Sequence, residues 1–307
     1  MHRTIEITAA APISDPLLAD LGKLDHVIGL SVQRDASIKP PGDVIVVHVL
    51  NRGADEVMDL AGQAVRHGGS VALAEGTAMI DPASQHLIDH DVDEATWEEA
   101  ETGLRHQGVI TANYLALMAL GGVVATVGLV SDPVPQAIAL IASSVIAPGF
   151  EPIAKVALGL VLRRWHVVKR GALSALAGYG ALIAASAATF LLLRALGDTT
   201  VAKLVTNSEV QHLAHPVPKD VVLSIAAAAA GLVMITAYRR TVIAGPLIAL
   251  ALIPAAAVVG AALAAGQWSL TGAAAQRLAL DSVILIAVGA LVVAVKKATI
   301  HRRDPLV

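Results

Sequence analysis

The chain has 307 residues, is 55% hydrophobic but only 3% aromatic, and combines a mean hydropathy of +0.68 with a net charge of −3. The apolar residues crowd into the last two thirds, which excludes one ordinary soluble domain as a description of the whole. There is no cysteine, so disulfides and thiolate metal sites are excluded, and the weak net charge gives no reason to expect a nucleic-acid partner.

Residues 1–81 read as a small soluble domain. Met1 to Thr8 is a polar start leading into an alternating strand, Arg3 to Thr8, and not a basic-then-apolar cleavable signal. Ser14-Asp15-Pro16 offers an N-cap with proline early in a helix running to Leu24. Val27 to Ser37 reads as a strand, Pro40-Pro41-Gly42-Asp43 as a turn, and Val44 to Leu50 as the clearest strand. A helix follows from Ala54 to His67, ended by Gly68-Gly69, with a last strand from Val71 to Ile80. The order βαββαβ predicts a ferredoxin-like α+β domain, a fold that implies no function without a site. His26, His48 and His67 are isolated there and read as ordinary histidines.

Residues 82–108 form an acidic, helix-permissive linker. His86 and His90 stand four apart beside Asp89 and Asp91, a spacing that could put two imidazoles on one helix face for a divalent metal. The alternative is a solvated helix whose Leu87, Ile88, Val92 and Trp97 pack against a neighbour. No resident metal or cofactor is expected.

Residues 109–295 give six candidate membrane spans: Val109 to Val130, Val134 to Leu162, Gly171 to Leu193, Val221 to Tyr238, Val242 to Ala265 and Gly272 to Val295. Arg163, Arg164, Lys169, Arg170, Arg239, Arg240, Lys296, Lys297, Arg302 and Arg303 fall on one side, against Arg194, Lys203, Lys219 and Arg277 on the other. Ten basic residues facing four predict cytoplasmic termini, including the basic tail 296–307, in a multi-pass protein of the cell (inner) membrane. Six spans divide into 3+3, and an odd number per unit would make the repeat inverted. Ile138-Ala139-Leu140 leads to Pro148 in span two, and Ile248-Ala249-Leu250 leads to Pro254 in span five, so two spans in corresponding positions are proline-broken. The loop Gly197 to Asp220 is the longest on the other side, with His212 and His215 reading as a chance pair before Pro216.

Pro135 to Trp165 is the segment the membrane part is organised around. Its apolar run carries Ser143, Ser144, Pro148, Gly149, Glu151, Pro152 and Lys155. A freed backbone group costs several kcal/mol in hydrocarbon, so a break at Pro148-Gly149 predicts a polar pocket lined by protein or water. Glu151 and Lys155, one turn apart, either pair with each other or leave the glutamate to bind a cation or proton. Asp281 is a second intramembrane carboxylate, to be bonded to Ser282 or Gln276 or paired with Arg277 where it does not bind solute. Candidate binding residues are therefore Glu151, Ser143, Ser144, Pro148, Gly149, Lys155, Pro254 and Asp281, with no catalytic or metal set. Asn113 and Thr126 read as helix-packing hydrogen bonds, and the runs Ala226 to Gly231 and Ala255 to Ala265 as close-contact faces.

Ala125-Thr126-Val127-Gly128-Leu129, Ile146-Ala147-Pro148 with Pro152-Ile153, and Ala244-Gly245 through Ala249-Leu250-Ala251-Leu252-Ile253-Pro254, with Val259-Gly260 and Gly266-Gln267-Trp268, resemble the membrane core of the bacterial and archaeal family called domain of unknown function 389. The resemblance covers Leu115 to Val293 and departs from the family pattern at Glu151, Ala255 and Asp281-Ser282. It implies the membrane fold and leaves function open.

The sequence thus predicts a transporter- or channel-like protein for a small solute or ion, with a cytoplasmic regulatory domain. The alternative is a membrane-anchored sensor or scaffold whose spans mainly oligomerise. No HExxH, GxSxG or GxxxxGK[ST] motif points to an enzyme. Small-residue faces and an antiparallel sheet predict a homo-oligomer, a dimer or trimer, in the bilayer.

Overall fold

The computed structural model describes residues 2–76, 79–237 and 251–306. They form two compact units, one of residues 2–76, 79–99, 236–237 and 299–306, the other of residues 100–235 and 251–298. In the first, β1 (His2–Ala9), α1 (Ala11–Leu21), β2 (Val27–Ile38), β3 (Pro41–Leu50), α2 (Ala54–Arg66) and β4 (Ser70–Glu75) build an antiparallel sheet in the order β2-β3-β1-β4. Alternation sets which face is buried: Ile5, Ile7 and Ala9 of β1 and Ile45, Val47 and Val49 of β3 are fully covered, packed with Leu17, Leu21, Val57, Met58 and Ala61 of the two helices. Ser14 does not cap α1. The helix begins three residues earlier with Pro12 in its first turn, where a missing N–H costs nothing, and Ser14 lies buried inside it. β4 is shorter than the predicted Val71 to Ile80.

Residues 85–89 form a short helix, α3 (Gln85–Asp89), and α4 spans Trp97–Gln107. The C-terminal residues, predicted as a basic tail, pack within the first unit. Arg303 donates to Asp55 (2.7 Å) and to both oxygens of Glu98 (2.8 and 2.5 Å), and His301 Nδ1 lies 2.6 Å from Asp55. Leu306 packs against the sheet-and-helix core. Burial alone would lower the His301 pKa, but the Asp55 and Glu94 carboxylates override it and raise it above the ordinary 6.5. Asp55 and Glu98 are held below their ordinary values because His301 and Arg303, and Arg303 with the Leu306 N–H, outweigh burial.

The second unit is helical: α5 (Ala112–Leu129), α6 (Pro133–Ile146), α7 (Phe150–Val161), α8 (Trp165–Ala195), α9 (Val201–Thr206), α10 (Ser208–Ala214), α11 (Pro218–Thr236), α12 (Leu252–Ala264) and α13 (Trp268–Thr299). Helices α5, α8, α11 and α13 are long and apolar enough to cross a membrane, and α6 with α7, bent by 47°, makes five if counted as one span. Predicted span five begins on residues 242–250, which lie outside the described ones. Its described half, α12, has 13 residues and at 1.5 Å each is too short to cross a hydrocarbon core of about 30 Å. Helix α8 packs against α5, α7 and α12. Glycines set the spacing: a Cβ at Gly122 of α5 would stand 2.5 Å from the Leu182 carbonyl oxygen, and one at Gly260 of α12 2.3 Å from that of Ile183.

Candidate functional site

The α6–α7 break follows from local chemistry. Ala147 precedes a proline and is driven out of the helical region to φ −86°, ψ 118°, so α6 ends there. The Gly149 N–H turns back to the Ala147 carbonyl (2.8 Å), closing a tight turn around Pro148. Gly149 is needed because a Cβ would lie 2.7 Å from both the Tyr179 hydroxyl and Ile253 Cδ1. The Tyr179 hydroxyl, reaching across from α8, donates to the Gly149 carbonyl (3.2 Å) and so meets one backbone group that the break frees. Pro152 falls in the first turn of α7, where proline is tolerated, and therefore does not bend the chain a second time. Pro254 is likewise in the first turn of α12, so it opens a helix; the preceding residues lie outside the described ones.

Glu151 occupies that first turn of α7. It is 3% exposed, and its buried Oε2 has no hydrogen-bond partner among the described residues. The positive end of the α7 dipole lies at this turn and favours a carboxylate there. A cavity of about 360 Å³ opens beside it, lined by His106, Thr111, Asn113 and Tyr114 together with Ile146, Ala147 and Pro148. Tyr114 is fixed by donating to the Ser174 carbonyl (2.7 Å) and by lying over Gly178, where any Cβ would collide with its hydroxyl. Asn113, expected to tie helices together, instead lines this cavity and is exposed. Thr126 bonds within its own helix to the Gly122 carbonyl (2.8 Å).

The Glu151–Lys155 pair, one of the two arrangements the spacing allowed, is not formed among the described residues. Lys155, 1% exposed, opens on a different cavity with Arg105, Arg170 and Ser174. A one-turn spacing allows a pair, but here the two side chains open on different cavities.

The other candidates divide as well. Ser144 and Pro254 line a third cavity of about 190 Å³ with Glu209, His212, Asp220 and Arg277. Ser143 is fully buried and donates to the Leu140 carbonyl (2.8 Å). Asp281, 1% exposed, pairs with Arg277 (2.7 Å) and accepts from Ser224 of α11 (2.8 Å). Arg277 also stands 3.7 Å from Asp220, which faces His212 at 3.5 Å. So Asp281 is held in a structural network, and of the two histidines of the long loop His212 has an acidic partner. The candidates Ser143, Ser144, Glu151 and Pro254 do not share one cavity: Ser144 and Pro254 line one, Glu151 another, and Ser143 neither.

Tyr179, Tyr114 and His106 were not singled out from the sequence. The available signal was composition: the chain has three tyrosines, all beyond residue 109 in its apolar part, and a tyrosine there invites a polar task for its hydroxyl. Among the described residues no group of three His, Asp or Glu side chains could hold a metal ion, and His86 and His90 stack at 5.0 Å with the His90 Nδ1 against the His86 carbonyl.

Residues 145–294, which contain the break, α7, α8 and the Arg277–Asp281 pair, match the family described as domain of unknown function (DUF389). Residues 145–294 thus carry the DUF389 domain. No curated protein and no solved structure matches it. The DUF389 region begins two residues before Ala147, so the break and Glu151 lie inside it, while Tyr114, Asn113 and His106 precede it.

Proposed function

We propose that this DUF389 protein is a transporter- or channel-like protein for a small solute or ion, binding it at Glu151. The observation that carries this reading is the unpartnered, buried Glu151 Oε2 beside a polar cavity at a break in an apolar helix pair. A carboxylate is costly at membrane depth and persists where a ligand, a cation or a proton completes it. Glu151 supplies the charge, His106, Thr111, Asn113 and Tyr114 line the approach, and Pro148-Gly149 gives the bend at which α6 and α7 move relative to each other. An ion site fits this arrangement better than a sealed scaffold, which would cover Glu151 with alanine and leucine.

In the same reading the chain has six spans, the halves form a 3+3 inverted repeat, and the protein is multi-pass in the cell (inner) membrane with both termini cytoplasmic. Ten basic residues against four support that orientation. The strand order β2-β3-β1-β4 with two helices supports a ferredoxin-like regulatory domain. Exposed Leu176 of α8 and Leu291 of α13 face lipid or a second copy in a homo-oligomer.

The test is flux in proteoliposomes, with protons, sodium, potassium, lithium and ammonium offered separately. Wild type should pass one of them and Glu151→Gln should not. Equal flux by both proteins, or none of the five passed by wild type, would remove the ion-transport reading.

A further inference from the structure

We propose that the cavity around Lys155 binds the phosphate of an anionic lipid headgroup. The inference does not depend on transport through the Glu151 cavity and would survive its failure.

The cavity encloses about 270 Å³ and is lined by Arg105, Gly108, Val109, Ile110, Lys155, Arg170, Leu173 and Ser174. Three of its side chains are cationic. Lys155 is almost wholly buried, opens on the cavity, and makes no hydrogen bond or ion pair among the described residues. The charged groups that act on it are Glu101, Arg170 and Arg105, and Glu101 is already tied to Arg164 (2.8 Å). The site therefore carries an excess of positive charge, which Glu101, shared with Arg164, offsets only in part. An ammonium buried without a partner is costly, and an anion seated on it removes the cost. Ser174 adds a buried hydroxyl, since it is its backbone carbonyl and not its side chain that Tyr114 occupies.

A phosphate group fits this set: one point-charge ammonium, two guanidinium forks and a hydroxyl donor. The lip of the cavity decides between a soluble phosphate and a lipid. Val109, Ile110 and Leu173 stand 40–48% exposed around the cations. Exposed aliphatic side chains beside a phosphate site suit acyl chains and offer a free ion nothing. The cavity also lies at the α7–α8 end of the unit, where Arg163, Arg164 and Lys169 follow in sequence, the end at which anionic headgroups concentrate under a positive-inside orientation.

The experiment uses the full chain in nanodiscs of phosphatidylcholine, with phosphatidylglycerol or cardiolipin added, and native mass spectrometry to count retained lipid. In parallel, inorganic phosphate and glycerol phosphate are titrated as competitors. Wild type should retain phosphatidylglycerol about tenfold better than phosphatidylcholine, and Lys155→Met and the double variant Arg105→Gln/Arg170→Gln should lose that preference. The control Arg163→Gln/Lys169→Gln, outside the cavity, should keep it. Because Lys155→Met removes a buried side chain, the double variant at exposed positions decides the matter if Lys155→Met does not fold. Equal retention of the neutral and anionic lipids would overturn the proposal, as would equal losses in cavity and control variants. Displacement of the lipid by inorganic phosphate at matching affinity would show a soluble-anion site and overturn the lipid assignment.

Discussion

Replacing Glu151 by glutamine tests whether the carboxylate is there for a ligand or for the fold. Glutamine keeps the shape and removes the charge. Among the described residues one buried carboxylate oxygen has no partner, so replacing the carboxylate breaks no side-chain network. An unsatisfied buried polar group costs about 1–3 kcal/mol, and more when charged, so the ligand-free variant should be as stable as wild type or slightly more stable. A ligand bound to the folded state at 100 times its dissociation constant adds about 2.7 kcal/mol, and the variant should lose that increment. The assay is thermal unfolding in detergent against a series of monovalent and divalent cations. Glu151→Asp, shorter by one methylene, should keep a weakened response. A Glu151→Gln protein destabilised by several kcal/mol without ligand would refute the reasoning, because it would mean the carboxylate is bonded in the fold. A full cation-dependent shift in the variant would refute it from the other side.

Other substitutions should behave differently. Asp281→Asn leaves buried Arg277 with only the longer Asp220 contact, and removing one partner of a buried pair should cost about 3–5 kcal/mol in thermal or denaturant unfolding; loss below 1 kcal/mol would show a solvated pair. Gly260→Ala places a Cβ against the Ile183 carbonyl and should force α12 from α8 at about 1–3 kcal/mol, read as reduced folded yield and midpoint. For the tail, Arg303→Gln breaks contacts to Asp55 and Glu98 and should free residues 301–306, raising their protease sensitivity and shifting emission from Trp97, whose ring lies 5.0 Å from that of His301. His301 has a raised folded pKa, so its contribution is full below 6.5 and is lost as pH rises through the folded value. Asp55 and Glu98 have lowered values, so theirs is full above the ordinary 3.8 and 4.5 and is lost as pH falls through the folded values. Tail docking should therefore be firmest between about 4.5 and 6.5 and loosen on either side, measured by Trp97 emission in a Trp165→Phe/Trp268→Phe background; a flat profile would count against the ionic attachment.

The soluble unit was legible because its signals are local. Val44 to Leu50 alternates, Ala54 to His67 carries one apolar stripe, and each becomes the predicted element within a few residues. The end of α1 was less legible because Pro12 and Ser14-Asp15-Pro16 both look like starts, and burial of Ser14 against the sheet decided between them. Long apolar runs likewise gave α5, α8, α11 and α13. What sequence could not supply was the destination of the tail. Arg302, Arg303 and Pro305 read as a solvated basic end, and only folding brings Asp55, Glu98 and Glu94 to the His301–Leu306 segment.

The break itself was readable, since proline after alanine and before glycine leaves the backbone few choices. The pocket was not readable as one object, because its two sides come from positions over 30 residues apart: Tyr114 near the start of α5 and Glu151 at the start of α7. Pairs at i and i+4 suggested that Glu151 belonged with Lys155. The helix surface offers that contact, but the surroundings divide it: one side chain opens on tyrosine, asparagine and histidine, the other on two arginines. Two buried opposite charges one turn apart that do not pair must each be answered by something else. The proposed answers are a cation or proton for Glu151 and a phosphate for Lys155.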